Sequence, residues 1–341
     1  MRDTKLKIEA AASNSLQAKR IPFDFIPVID LEPWFVGDVR AKRQVAQTVH
    51  TTCRNIGFMY VRNHGISQQL VDETFQQAQC FFSLPDEEKR QVHYEKSGRH
   101  RGYIPMRGES SDPSAKGDLK EAFDYGLELP CDDLHSPAAQ RMRAPNLFPT
   151  GVPGFREAVE SCLAAMTDLA KTLFQIFAAG FGLPAQFFDD KIDKPIAQMR
   201  LLHYPAQRPT QDSPASTDYL GIGAHSDYEC FTILAQDETG GLQVQNPAGE
   251  WIAAPPVEGT FVINIGEMMT RWTNDTFAST PHRVINASGQ ERYSIPFFFA
   301  TNYDTIISCL ESCQGPDRPA RYPPIAAGDY LAQRLKEIYG V

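Results

Sequence analysis

The sequence has no long unbroken apolar run. None approaches the roughly 20 residues that a membrane-spanning helix requires, so a bilayer-crossing segment is not expected. It opens on a polar stretch, MRDTKLKIEAAASNSLQAKR, without a basic segment followed by an apolar one. No secretory leader is therefore expected, and residues 1–24 read as a flexible arm. Paired cysteines at zinc-type spacing are missing as well. The seven cysteines (Cys53, Cys80, Cys131, Cys162, Cys230, Cys309 and Cys313) are scattered, with no CxxC among them. That argues against a disulfide framework or a structural zinc, and for free thiols in a reducing cytoplasm. Basic excess is absent too: 33 Lys and Arg stand against 42 Asp and Glu, a net charge of -9. Nucleic acids and anionic membranes are recognised by clustered positive charge, so neither is an expected partner. What is there is an average globular mix, 42% hydrophobic and 22% charged over 341 residues. A chain of that size buries a core without metal or disulfide staples, and a monomer is the default expectation.

Two textures follow one another along the chain. Up to residue 195, helical spacing of apolar residues predicts helices over about 39–55, 67–82 and 155–181, with shorter ones starting at Pro85 and after Leu183-Pro184. Strands are expected at Ile26–Leu31 and Phe58–Val61, and residues 97–130 read as a long irregular, functional loop. From Ile196 on, short apolar segments alternate with turn signals: 197–204, 221–225, 231–236, 242–244, 251–253, 261–265, 282–285 and 292–300. That spacing is the mark of a β sandwich or barrel. Residues 326–339 read as a closing helix. The resulting division is 1–24, 25–195, 196–304 and 305–341.

Chemistry concentrates in the β-rich part. His225 and Asp227 stand two apart at the end of a strand, so their side chains project together. An imidazole beside a carboxylate suits a divalent metal. Downstream, Ser279-Thr280-Pro281-His282-Arg283-Val284 offers a third ligand, His282, placed to face the first two across one mouth. Two histidines and one carboxylate leave metal positions open, as non-haem Fe(II) oxygenases need. Arg292 and Ser294 share the next strand face; a guanidinium fork with a hydroxyl clamps a carboxylate. Tyr204 is a candidate second donor to that acid. Each element taken alone has an ordinary structural reading; their order and proximity give them weight together.

These residues resemble the isopenicillin N synthase-like family of 2-oxoglutarate- and Fe(II)-dependent dioxygenases. The similarity rests on Ile56-Gly57-Phe58-Met59-Tyr60-Val61-Arg62-Asn63-His64-Gly65-Ile66, Phe82-Ser83-Leu84-Pro85, Arg101-Gly102-Tyr103, Asp118–Asp124, His225-Ser226-Asp227, Trp272-Thr273-Asn274, Ser279–Val284 and Arg292-Tyr293-Ser294. It implies a mainly β fold with flanking helices, built on a double-stranded β-helix (jelly-roll) core at 196–304, with 25–195 as helices and strands packed on that core. It implies Fe(II) on His225, Asp227 and His282, with 2-oxoglutarate held by Arg292, Ser294 and Tyr204. Leu202 departs from the asparagine that many members carry there, leaving fewer donors for the co-substrate. The implied activity uses O2 to oxidise an unactivated C–H of a small molecule by hydroxylation, desaturation or cyclisation, releasing succinate and CO2. A role in specialised metabolism goes with it. Candidate substrate walls are Tyr103, Phe123, Phe231 and Phe298. Three alternatives stay open at this stage: an iron oxidase that does not use oxoglutarate, a zinc hydrolase, and a non-catalytic β-sandwich binding protein.

Overall fold

The structure is a computed structural model, which describes residues 26–97, 101–109, 117–128, 145–207 and 220–339. The expected arm at 1–24, Cys131 and part of the expected loop at 97–130 lie outside these. The strands are β1 Val28–Asp30, β2 Phe58–Arg62, β3 Gly102–Ile104, β4 Glu121–Gly126, β5 Pro195–Tyr204, β6 Leu220–His225, β7 Phe231–Gln236, β8 Leu242–Gln245, β9 Trp251–Ala253, β10 Thr260–Ile265, β11 His282–Ile285, β12 Arg292–Asn302, β13 Ile306–Ile307 and β14 Ile325–Ala326. The α-helices are α1 Glu32–Val36, α2 Val39–Asn55, α3 Gln68–Phe82, α4 Asp86–Lys89, α5 Tyr94–Ser97, α6 Phe155–Gly180, α7 Glu267–Trp272 and α8 Ala327–Tyr339.

The expected β-rich half is present strand for strand. Together with β1–β4 its strands form two facing sheets, one ordered β1-β2-β10-β7-β12-β5-β4-β3 and the other β6-β11-β8-β9. Among these strands only β1 and β2 pair in parallel. The middle of the larger sheet and the whole smaller one make the jelly roll. The larger sheet runs across the change of texture at 195/196, because β1–β4 join its two edges.

The stretch 97–130 corrects its reading as irregular loop: it contains β3 and β4, and every residue of both is buried. Strand alternation of apolar and polar residues was hidden there because both faces are covered and the polar residues are paired inside. Lys89 meets Glu121 at 2.7 Å, and Arg200 meets Asp124 at 2.6 Å.

Period two sorts the larger sheet into two cores. Residues Phe123, Met199, Leu201, Phe231, Ile233, Ile263, Ile295, Phe297 and Phe299 face the helices. Ala122, Leu202, Tyr204, Val262 and Leu234 face the smaller sheet, meeting Leu242, Val244 and Val284. Helix α6 fills the first core. Its Phe174 and Phe177 lie 5.4 Å from Phe231, ring centre to ring centre. By length and overall composition α6 could cross a membrane, but charged residues interrupt its apolar run and most of its apolar window is buried in this core. Each such side chain contributes roughly 1.5–3 kcal/mol on burial. Helices α2 and α3 start on side-chain caps, Asp38 accepting from Ala41 N at 2.9 Å and Ser67 from Leu70 N at 3.3 Å.

Candidate active site

His225 ends β6 and His282 begins β11, and the antiparallel register makes them direct neighbours. They sit side by side on one sheet, with ring centres 4.3 Å apart, rather than facing each other across a mouth. β6 ends at His225, so the strand pleat is not what turns Asp227 toward it. Asp227 lies in the loop beyond and is held from the opposite sheet. Thr232 Oγ1 on β7 and Asn264 Nδ2 on β10 both donate to its Oδ2, the latter at 2.7 Å. Oδ1 is thereby left aimed at the histidines, 3.5 Å from each Nε2. The three ligand atoms lie within 4.8 Å of one another.

Both Nδ1 atoms face backbone carbonyls, that of His225 at 2.9 Å from Gly223 O and that of His282 at 3.2 Å from Thr280 O. An Nδ1–H donated there leaves each Nε2 with its lone pair free. Burial and the neighbouring His225 charge push the His282 pKa down to about 4, so that ring is neutral at pH 7. For His225 burial acts the same way, but the bond and charge of Asp227, with the Gly223 carbonyl and the Asp118 charge, together outweigh it and the pKa rises. Burial would raise Asp227, yet the His282 and His225 charges hold it below the usual carboxylate range. Two imidazole nitrogens and one carboxylate oxygen, each oriented by a second partner, fit a divalent iron. The segment before His282 is fixed by Thr280, whose hydroxyl donates to Ile56 O at 2.6 Å. Gly57 makes room for this approach: at φ 73° a Cβ would stand 2.1 Å from Ala278 O.

The co-substrate residues are brought together as expected. Arg292 and Ser294 share one face of β12, and Arg292 Nη1 donates to Ser294 Oγ at 3.0 Å. Tyr204 is the cross-strand partner of Arg292, its ring 4.7 Å below the guanidinium. Gly221 on the facing sheet permits this, since a Cβ there would meet the Tyr204 ring at 2.6 Å. Arg292 is fully buried, and its bonds go to Gly240 O, Ser294 and Gln236. Among the described residues no carboxylate pairs with it. The Tyr204 hydroxyl is buried without a hydrogen-bond partner. A buried cation without an acid and an orphaned phenol on one wall fit an incoming carboxylate. Leu202 stands beside Ser294 as an apolar patch of the same wall.

The substrate-wall residues divide. Phe298 is half-buried on the Arg292 face of β12, opposite Thr232, and lines the site. Tyr103, Phe123 and Phe231 do not. Each sits one register position away, so the pleat turns it into the helix-side core; Phe123 packs 4.9 Å from Phe81, and the Tyr103 hydroxyl bonds Glu121 at 2.6 Å. Sequence reasoning missed Thr232 and Asn264. Their signal was a polar residue inside each of two apolar strands, Phe231-Thr232-Ile233 and Ile263-Asn264-Ile265.

Two family descriptions match the chain: "non-haem dioxygenase in morphine synthesis N-terminal" over residues 26–151, and "2OG-Fe(II) oxygenase superfamily" over 195–301. The 2-oxoglutarate-Fe(II) type oxidoreductase hxnY of Emericella nidulans is 36% identical, over 92% of this chain and 90% of its own length. Homoarginine-6-hydroxylase 2-ODD-C23.1 of Arabidopsis thaliana is 34% identical, over 93% and 95%. Among solved structures, a full-length Neurospora crassa protein in complex with alpha-KG and thymine superposes with a TM-score of 0.81 at 31% identity, covering 92% of this chain and 96% of that one.

Proposed function

This chain belongs to the 2OG-Fe(II) oxygenase superfamily, and we propose that it oxidises an unactivated C–H bond of a small molecule seated over Phe298. It is a 2-oxoglutarate-dependent oxygenase that uses Fe(II) and 2-oxoglutarate. In this reading His225 Nε2, Asp227 Oδ1 and His282 Nε2 hold the iron. Arg292, Ser294 and Tyr204 take the far carboxylate of oxoglutarate. With oxoglutarate and O2, Fe(II) supplies the oxidising power that breaks the C–H bond, and succinate and CO2 leave. The protein's own residues do the positioning. Thr232 and Asn264 keep Asp227 from rotating, and Leu202, Leu234 and Ile222 keep the wall apolar.

The observation that carries the reading is Arg292, a fully buried guanidinium with no acid partner among the described residues, on the same sheet face as the anchor of Asp227. Further along that face, Arg200 is already paired with Asp124 and Glu109, so the substrate's outer end meets a charge-balanced polar wall. Thymine and homoarginine, drawn from the names given to the similar proteins and their complexes, are the first substrates to try. The test is succinate formation from oxoglutarate by Fe(II)-loaded protein over a substrate panel. Substrate-stimulated succinate in the parent, lost in Arg292→Ala together with oxoglutarate binding, is expected. Oxoglutarate affinity unchanged in Arg292→Ala would overturn the assignment. The reading also keeps a monomer without nucleic-acid or membrane partners in a reducing cytoplasm. Its support is the net charge of -9 and the free cysteines among the described residues; light scattering tests the monomer.

A further inference from the structure

The residue between the first two metal-ligand candidates is itself tied down. Ser226 Oγ donates to Glu267 Oε1 at 2.6 Å. Glu267 opens α7, and its backbone N–H donates to Asp227 O at 2.8 Å. The same carboxylate is gripped from α8: Tyr330 Oη donates to Oε2 at 2.7 Å, and Arg334 Nη2 to Oε1 at 3.1 Å. Arg334 also lies 4.8 Å over the ring of Tyr228, the residue after Asp227. Helix α8 is not loosely attached. Ala327 and Leu331 are in the main core. The chain leading to it is held by Asn274, whose Nδ2 donates to Cys313 O at 3.1 Å and to Pro319 O at 3.2 Å, and whose Oδ1 accepts from Arg321 N at 3.0 Å. The Trp272-Thr273-Asn274 motif thus ends α7 and fastens the C-terminal segment to it.

We infer that Glu267 is a positioning residue for the metal centre, through which α8 holds the His225–Asp227 turn in ligand geometry. The inference rests on the metal reading of the triad and goes beyond it. None of Glu267, Tyr330 and Arg334 is among the triad, yet together they fix the backbone and the side chain between two of its members. Partners that orient ligands in this indirect way govern metal affinity as well as ligand direction.

The test is Co(II) binding to the full chain by titration, with the Co(II) d–d absorption as the readout of ligand geometry. Glu267→Ala is expected to weaken Co(II) binding roughly tenfold or more and to change the d–d intensity. Ser226→Ala and Arg334→Ala each produce part of that loss. Added to Glu267→Ala, Ser226→Ala costs nothing further, because the hydroxyl acts through that carboxylate. Arg334→Lys recovers most of the affinity lost in Arg334→Ala. Thermal unfolding of the metal-free proteins accompanies each titration. If Glu267→Ala does not fold, Ser226→Ala decides, since it removes one hydroxyl. Folded variants with parental Co(II) affinity and spectrum would overturn the inference. A parent that does not bind Co(II) at all would overturn the metal reading itself.

Discussion

Two arginines drawn in from solvent stand on the same face of the larger sheet and are treated in opposite ways. Arg200 on β5 is half-buried between Asp124, at 2.6 Å, and Glu109, at 2.8 Å. Arg292 on β12 is fully buried and bonds a hydroxyl, a carbonyl and an amide, and no acid among the described residues. A buried ion pair is close to neutral in stability as long as both partners stay, while a buried lone charge is costly. The protein has therefore satisfied one guanidinium internally and kept the other for a ligand. The lesson is that the informative feature is not a buried arginine but a buried arginine without its acid.

That contrast can be broken in several places. Arg200→Met should strip Asp124 and Glu109 of their shared guanidinium and cost about 3 kcal/mol or more in urea unfolding, while oxoglutarate affinity of the folded protein holds. The same cluster should weaken in acid. Burial alone would raise the Glu109 pKa, but Arg200 and Lys120 outweigh it and hold it well below the usual range. Its contribution is thus present above the unfolded value of about 4.3 and is lost as pH falls toward the folded value. Arg292→Met should show the reverse pattern. Oxoglutarate affinity, by titration calorimetry, is expected to drop on the order of a hundredfold, with metal-free stability changed by less than about 1 kcal/mol because no acid is abandoned. Equal behaviour of the two variants would dissolve the comparison.

A smaller effect concerns the metal end. His225 has a raised pKa and His282 a lowered one, pushed down to about 4, so as pH falls His225 is the first to take up a proton that competes with a metal. Co(II) affinity should fall about tenfold per pH unit as pH drops below the His225 value, with a slope of one proton rather than two. The smallest effect is expected from Tyr204→Phe. It removes a hydroxyl that is unpartnered in the metal-free protein, so stability should hold, and oxoglutarate affinity should weaken by about 1 kcal/mol in the same calorimetric titration.

Much of this was legible in the sequence for a plain reason: period-two and period-3.6 patterns are local. Strands β5 to β12 and helices α2, α3, α6 and α8 follow from them, as does the sharing of a face by Arg292 and Ser294. Strands β3 and β4 were not legible, because Glu121 and Asp124 look like surface residues until Lys89 and Arg200 are seen to pair with them. Tyr103, Phe123 and Phe231 were misplaced by a single register step, which sends a side chain to the other face. His50 is half-buried against Phe181 and Phe277, which lie far away in the chain, a contact that no local pattern foretells.

By itself the sequence determined which atoms are available: two histidines, an aspartate, an arginine with its serine, and the strands that carry them. Only the tertiary structure decided that Asp227 turns inward, because Thr232 and Asn264 reach it from the opposite sheet. It also decided which arginine is free for a ligand and that the C-terminal helix grips the residue between two members of the triad. The physical reason is one of range. Side-chain direction along a strand is set by neighbouring residues, whereas pairing of charges and anchoring of a loop depend on residues that meet only when the sheets close.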